Sequence, residues 1–135
     1  EAEEFKGKFF DHYTGLRDWH KCTNNGDRYE ARTLKGRRRL WENNSTLNGR
    51  LNMPVQGTAA DIMKIALGRL PGALKDTGAK LVAIIHDEII LEVPEQRAEE
   101  TQRILVTVME SAGDGFIDLP LVAEAAIADS WAGKA

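Results

Sequence analysis

The apolar positions of the N-terminal half predict two helical segments separated by a polar stretch. Near the start, five residues repeat at helical spacing, with a weak point at Thr14-Gly15: Phe5, Phe9, Tyr13, Leu16 and Trp19. Asn24-Asn25-Gly26 is a signal for helix termination and a turn. Residues 28–34 and 37–41 fit either two short strands or an extended arm. Residues 42–50 are polar and turn-prone, which predicts a surface loop.

Two clearer helices are predicted in the second half. The first begins near Pro54, which suits an initial helical turn, and Pro71-Gly72 ends or kinks it. Its apolar face consists of Ala59, Ile62, Met63, Ala66, Leu67 and Leu70. The second begins at Pro94-Glu95 and stops at Gly113, with acidic side chains at its positive end. It is expected to bury Ala98, Ile104, Leu105, Val108, Met109 and Ala112.

Strands are predicted around these helices. Within residues 81–93, two apolar, β-branched runs flank His86-Asp87-Glu88, which predicts a hairpin over about 79–93. Alternation over about 119–128 predicts a last strand. The fold class is therefore α+β: a small antiparallel sheet, made of this hairpin and the C-terminal strand, packed on two α-helices and preceded by an N-terminal helical and arm segment.

The tip of the predicted hairpin has unusual chemistry. Tight hairpins favour Asn-Gly or Asp-Gly, but here an imidazole is followed by the carboxylates Asp87 and Glu88 between apolar walls. Carboxylate oxygens suit hard cations such as Mg²⁺ or Mn²⁺. From these residues alone, an ordinary solvated turn explains the hairpin tip as well as a cation site does. A site with two metals needs further carboxylates, and Asp61 and Asp76 stand isolated in the sequence.

Two other groups of residues suggest binding to nucleic acid. Asn52 and Gln56 are four residues apart, so their carboxamides lie on one side of a helix start and can bond to base edges in the minor groove. Helix capping by Asn52 with a surface Gln56 is the alternative. Arg37, Arg38 and Arg39 follow Gly36 and suit phosphate, although a solvated basic run explains them as well.

Composition adds limits to these interpretations. The 135 residues are 42% hydrophobic and contain no apolar run near 18 residues, so neither a membrane span nor a membrane partner is expected. The single cysteine, Cys22, fits a reducing compartment, and no signal peptide is visible, so a cytoplasmic location is expected. Glu1 in place of Met suggests an excerpt or a processed chain.

Charge is distributed unevenly along the chain. The net charge of −3 argues by itself against a nucleic-acid binder. Residues 27–50 nevertheless carry seven Lys and Arg against three acids, whereas residues 87–135 carry eleven acids and three bases. Binding to phosphate requires one basic surface rather than a positive net charge of the whole chain. This asymmetry is therefore compatible with a nucleic-acid partner.

Taken in order, these motifs resemble the C-terminal part of family A, bacterial polymerase I-like DNA polymerases. Thr33–Arg39 resembles the family's Thr-x-x-Gly-Arg-Arg-Arg arm, and Asn52–Asp61 resembles its Asn-x-Pro-x-Gln-Gly-Thr-Ala-Ala-Asp helix start. Val82–Glu92 resembles motif C, the hairpin of the palm. The resemblance implies that residues 1–50 are partial fingers helices with the basic arm, and that residues 51–135 are the C-terminal half of the palm.

The resemblance also implies roles for individual residues. Asp87 is the motif C aspartate that binds the catalytic metals, Mg²⁺ or Mn²⁺, and Glu88 is a neighbouring acid rather than an essential ligand. His86 approaches the primer terminus. Asn52 and Gln56 contact the primer–template duplex from its minor groove, and the arm residues Arg37–Arg39 approach its backbone. Such minor-groove contacts check the shape of a base pair without reading sequence.

The implied function is template-directed nucleotidyl transfer to a primer 3′-hydroxyl by a two-metal mechanism, in replication or repair. Its partners are primer–template DNA, deoxynucleoside triphosphates and the rest of the polymerase. The other metal-binding aspartate, the nucleotide-binding helix and the thumb would precede residue 1, so the isolated chain is expected to be inactive. The alternatives are a non-catalytic module that binds duplex DNA and a metal-dependent nuclease built around Asp87 and Glu88.

Overall fold

A computed structural model of the protein describes residues 1–43 and 45–134. The chain divides between Thr58 and Ala59 into two compact units, Glu1–Thr58 and Ala59–Ala135. The boundary predicted between residues 50 and 51 lies inside a short helix, Leu47–Asn52. The assignment of the two parts to fingers and palm stays a prediction.

The first unit begins with two helices, α1 (Ala2–His12) and α2 (Thr14–Asn25). They are separated at Tyr13, whose φ of −101° and ψ of 70° are not helical, next to the predicted weak point. α2 ends where the sequence predicts, before the extended Gly26. Neither helix contains a buried residue, and the side chain of Phe5 is 73% exposed.

The basic segment forms two strands rather than a single extended arm. β1 (Glu30–Arg32) and β2 (Arg38–Leu40) pair antiparallel, with Glu30 opposite Leu40. The turn between them contains Gly36 at a φ of 89°, a left-handed conformation that glycine adopts without steric cost. This turn places Arg37 directly before β2 and Arg38 and Arg39 at its start.

A surface loop was predicted at 42–50. This prediction is wrong over the second half of the segment, where α3 (Leu47–Asn52) forms. Thr46 caps this helix, because its Oγ1 accepts a hydrogen bond of 3.1 Å from the backbone N–H of Gly49. Asn44, also part of that predicted loop, lies outside the described residues. A π-helical turn, Met53–Gly57, follows, so Pro54 sits in that turn and does not start the helical region as predicted.

The second unit packs two helices against a hairpin. α4 (Thr58–Ala73) contains Pro71 and ends directly after Pro71-Gly72, the pair that was predicted to end or kink it. α5 (Ala98–Glu110) lies between two 3₁₀ turns, Glu95–Arg97 and Ser111–Gly113. The buried core of the unit consists of Ala66, Leu70, Leu74, Val108 and Ala112, which are the apolar faces of α4 and α5 with their C-terminal extensions.

The hairpin over residues 79–93 is confirmed. β3 (Lys80–Ile85) and β4 (Glu88–Glu92) pair antiparallel from Lys80 opposite Glu92 to Ile85 opposite Glu88, with one irregularity between Leu81 and Ala83. Ile89 and Leu91 of β4 pack against the helical core, as expected for the buried face of a two-stranded sheet. The core therefore fixes the position of the hairpin within this unit.

The predicted C-terminal strand is wrong, since residues 119–128 have no strand assignment. Side chains of α5 bond to the backbone there instead. Gln102 Nε2 donates to the carbonyl of Ala125 at 2.5 Å, and a carboxylate oxygen of Glu110 accepts from the N–H of Ala123 at 3.1 Å. The two small antiparallel sheets and the helices still confirm the α+β class. Among the described residues, no helix is long and apolar enough to cross a membrane.

Candidate functional site

The turn between β1 and β2 is joined to the helical segment that follows α3 by a hydrogen bond to Thr58, and further bonds order each of the two segments. Thr58 Oγ1 accepts from the N–H of Leu34 at 3.0 Å and donates to the carbonyl of Pro54 at 2.5 Å. Thr33 Oγ1 accepts from the N–H of Arg37 at 3.1 Å. Thr33 is 5% and Thr58 is 3% exposed, so these partly buried bonds are shielded from much of the solvent. They fix the basic turn on the segment that carries Asn52 and Gln56.

Gly57 makes this close approach possible. A Cβ atom at this position would lie 2.7 Å from Thr33 Cγ2 and 3.0 Å from Met53 Sδ. Arg37 Nη2 also donates to the Gly57 carbonyl at 2.9 Å. The glycine is therefore required by packing, because a side chain would push the β1–β2 turn off the π-helical turn.

Replacement of Gly57 by Ala is expected to destabilise the first unit by about 1–3 kcal/mol through this overpacking. Hydrogen exchange at the Leu34 and Arg37 amides, measured by NMR, should become faster by the factor that corresponds to this loss of stability. Gly68→Ala is the matched control: it lies in a helix with nothing within 4 Å of the added Cβ, so it should be neutral or stabilising. Unchanged exchange in Gly57→Ala would contradict the packing argument.

The contact between the two turns creates an open pocket of about 300 Å³. Arg37–Arg39 line it together with Asn52 and Gln56, and the buried Met53 and Gly57 complete the lining. The structure thus brings together all the predicted DNA-binding residues except His86, which lies in the second unit. Asn52 makes no capping hydrogen bond, and Thr46 caps α3 instead, so the capping interpretation of Asn52 is wrong.

The three arginines have different surroundings. Arg37 bonds to the Gly57 carbonyl and so holds the arm in place. Arg38 Nη1 lies 3.5 Å from a carboxylate oxygen of Glu30, in a partly exposed ion pair. The guanidinium carbon of Arg39 lies 5.1 Å from the centre of the Trp41 ring, a cation–π distance. The guanidinium of Arg39 therefore lies over the planar indole ring of Trp41.

Trp41 is a residue that sequence reasoning missed as part of this surface. Its position two residues after Arg39 places both side chains on one face of an extended segment, which is the signal that could have identified it. Trp41 Cζ2 also lies 3.7 Å from the position of a Cβ on Gly49 of α3. The tryptophan thus connects the basic strand to the helix that carries Asn52.

In the second unit, the tip of the hairpin is a two-residue turn, His86-Asp87. Glu88 is already the first residue of β4 and is half-buried, whereas His86 and Asp87 are exposed. Among the described non-glycine residues, His86 alone has a positive φ, 57°. A type I′ turn needs positive φ at both residues, so this turn differs from the commonest tight hairpin. A side chain in this strained region costs on the order of 1–3 kcal/mol, and such residues concentrate at functional sites.

The donor set at this turn fits a partial metal site. Asp87 presents a carboxylate at an exposed tip, and Mg²⁺ is commonly held by one or two carboxylates with phosphate and water oxygens. Within the described part of the chain, no three His, Cys, Asp or Glu side chains converge on one point. Asp87 therefore suits a contributing ligand of a larger site, with Glu88 directly beside it on β4.

Comparison with known proteins places these features in a family. The sequence profile of DNA polymerase family A matches residues 1–133. The thermostable DNA polymerase I of Thermus filiformis is 39% identical over 142 residues, which covers 97% of this chain and 17% of that protein. DNA polymerase I of Aquifex aeolicus is 33% identical, covering 97% of this chain and 24% of its own length. The chain thus spans about a fifth of these relatives.

A solved structure shows the same fold. The POL domain of Pol1 from M. smegmatis, in complex with DNA primer-template and dNTP, superposes with a TM-score of 0.72 at 30% identity. The match covers 83% of this chain and 23% of that one. The fold is thus that of a polymerase domain. This chain belongs to DNA polymerase family A.

Proposed function

We propose that the chain forms part of the active site of a DNA-directed DNA polymerase, contributing duplex contacts and one metal-binding carboxylate. The observation that carries this proposal is the pocket in which Arg37–Arg39, Asn52 and Gln56 meet, found in a chain that matches the family over residues 1–133. The similar M. smegmatis domain was solved with primer-template DNA and dNTP, which supports DNA and nucleotide partners for this chain.

The pocket suits duplex DNA for two separate reasons. Arg38 and Arg39 provide positive charge that can lie along phosphates and set the register of the duplex. Asn52 and Gln56 provide donors and acceptors for the minor groove, where acceptor positions are similar in all base pairs. Binding would therefore depend on duplex shape rather than on sequence. Arg37 keeps the arm in position through its bond to Gly57, besides adding charge.

At the hairpin tip, Asp87 is proposed as a ligand of the catalytic Mg²⁺ or Mn²⁺, and His86 as the residue that approaches the primer terminus. When bound, the metal ions lower the cost of activating the primer 3′-hydroxyl and of releasing pyrophosphate. Asp87 supplies negative charge at a fixed position, because the strained turn and the packed hairpin restrict it. Glu88 holds a half-buried carboxylate next to it and is proposed to support rather than to bind.

Nucleotidyl transfer by the whole protein also requires groups that this chain does not carry in the proposed scheme. A second metal-binding carboxylate and the nucleotide-binding residues are proposed to come from the remainder of the polymerase. The test is primer extension with Mg²⁺ and the four deoxynucleoside triphosphates, with the chain alone and with the remainder supplied as a separate polypeptide. Extension is expected in the second case. Extension by the chain alone would contradict the proposed division of the site.

A non-catalytic module that binds duplex DNA is the second candidate. It is favoured by one observation: the basic and carboxamide side chains meet within the first unit, which does not include Asp87. Salt-dependent duplex binding without extension, in the presence of the supplied remainder, would favour this function. Cleavage of DNA without extension would instead support a nuclease around Asp87 and Glu88.

The two kinds of contact in the pocket are expected to respond differently to salt. Arg39→Gln should weaken duplex binding and reduce the slope of log K against log salt by about one, since one phosphate contact is lost. Gln56→Ala should weaken binding without changing the slope. Fluorescence anisotropy with a labelled primer–template at several salt concentrations measures both. Arg103→Gln, an exposed arginine of α5, is the matched control and should leave affinity and slope unchanged.

A further inference from the structure

A second pocket in the first unit, about 200 Å³, has no role in the contacts proposed above. It lies where the end of α2, strand β1 and helix α3 meet. Its lining includes Thr23, Asp27, Glu30, Arg32, Arg50 and Pro54. None of its lining residues lines the pocket of Arg37–Arg39, so the two pockets are separate.

Arg50 is the unusual residue of this pocket. It is only 4% exposed, yet its guanidinium is incompletely hydrogen-bonded. Nη1 donates to the backbone carbonyl of Asp27 at 3.5 Å, at the outer limit of a hydrogen bond, and Nε has no hydrogen-bond partner. A buried cation in this condition is costly unless a negative group completes its coordination.

The carboxylates that line the pocket are used elsewhere. Glu30 accepts from Arg32 Nε at 2.5 Å and lies 3.5 Å from Arg38 Nη1. Asp27 Oδ1 accepts from the N–H of Tyr29 at 2.7 Å, which holds the turn before β1. Among the described residues, neither of these carboxylates forms an ion pair with Arg50, so the guanidinium has no direct counter-charge. The surrounding segment, residues 27–50, carries an excess of four positive charges, which favours an anion further.

We propose that this pocket binds a phosphate group on the guanidinium of Arg50. The planar guanidinium fork matches two phosphate oxygens, and such charge-assisted bonds are the stronger ones. The pocket holds several times the volume of a water molecule, about 30 Å³, which leaves room for a tetrahedral oxyanion. The phosphate can come from a DNA backbone or from free inorganic phosphate, since both offer the same oxygens.

The test is a titration of the full chain, labelled with ¹⁵N, with inorganic phosphate at ionic strength held constant by chloride. The amides of Gly26 and Ala31 and the Nε–H of Arg50 should shift and saturate together. Arg50→Met should weaken binding by about tenfold or more, because charge-assisted hydrogen bonds are lost. Arg103→Met, an exposed arginine of the second unit, is the matched control and should leave the titration unchanged.

The source of the phosphate is found with a second probe, a single-stranded oligothymidine of eight nucleotides. If it shifts the same three signals, the site binds a DNA backbone; if only inorganic phosphate does, the site binds the free anion. The Arg39→Gln variant, impaired in the proposed duplex contacts, should retain the phosphate shifts, so failure of one proposal is distinguishable from failure of the other. Shifts that do not saturate in the wild-type chain, or that appear only around Arg37–Arg39, would overturn the proposal even if Arg50→Met does not fold.

Discussion

Replacement of Asp87 by Asn is expected to lower primer extension on the order of a thousand-fold, when the chain is assayed with the remainder of the polymerase. Asparagine has nearly the same shape, so the hairpin should fold, but it lacks the negative charge that a Mg²⁺ ligand needs. Metal ions stabilise charge in such reactions by several kcal/mol, and each 1.36 kcal/mol corresponds to about a factor of ten in rate. Single-turnover extension of a labelled primer measures the effect directly.

Two further variants of the same hairpin test whether the loss of rate is specific to the Asp87 carboxylate. Glu92→Gln removes a carboxylate from the far end of β4, opposite Lys80, and should leave the rate unchanged. Glu88→Gln should have an intermediate effect, since Glu88 is proposed to support the site rather than to bind metal. Duplex affinity in Asp87→Asn should not fall, because the proposed duplex contacts other than His86 lie in the first unit. An Asp87→Asn enzyme of normal rate would remove Asp87 from the metal site.

The two helices and the hairpin of the second unit were predicted correctly because their sequence pattern reflects burial on one side. The residues of α4 and α5 repeat at helical spacing because one face packs into a shared core, and Leu70 and Val108 lie in that core. The hairpin was predicted from two apolar runs interrupted by three polar residues. Its strands pair from Lys80 opposite Glu92 to Ile85 opposite Glu88, so two of those three polar residues form the turn and Glu88 begins β4. Local periodicity was sufficient for these elements because their apolar faces pack into one shared core.

The wrong predictions concern segments whose structure depends on single side chains. Residues 47–50 look turn-prone, yet the Thr46 cap and the following turn of helix outweigh the weak propensity of Asn48 and Gly49. Residues 119–128 alternate like a strand, but alternation cannot specify a neighbouring strand. Here Gln102 and Glu110 bond to the backbone instead. Hydrogen bonds from distant side chains leave no periodic signal.

The candidate site was predicted as a set of residues but not as a geometry. The sequence shows Arg37 and Gln56 as separate motifs, nineteen positions apart. What joins them is the close contact at Gly57 and the bond from Arg37 to its carbonyl, neither of which has a sequence pattern. The partly satisfied guanidinium of Arg50 is likewise visible only in three dimensions. Burial and hydrogen bonding therefore carry the information that spacing lacks.

Replacement of Leu70 by Ala is expected to destabilise the second unit by about 2–5 kcal/mol, the cost of removing a buried leucine side chain and leaving a cavity. Leu70 is 3% exposed and lies in the core that joins α4 to α5, against which Ile89 and Leu91 of β4 pack. Because native units are stable by only about 5–15 kcal/mol, this loss is a large fraction of the total. Guanidinium denaturation followed by circular dichroism measures it.

The same substitution should also loosen the hairpin that carries Asp87. If the core fixes β4, amide exchange at Ile89 and Leu91 should accelerate in Leu70→Ala, and extension by the completed polymerase should fall because the carboxylate is held less firmly. Leu119→Ala is the matched control, since Leu119 is 70% exposed and its truncation should change stability by less than about 0.5 kcal/mol. A destabilised Leu70→Ala chain with unchanged exchange in β4 would show that the hairpin is positioned without the helical core.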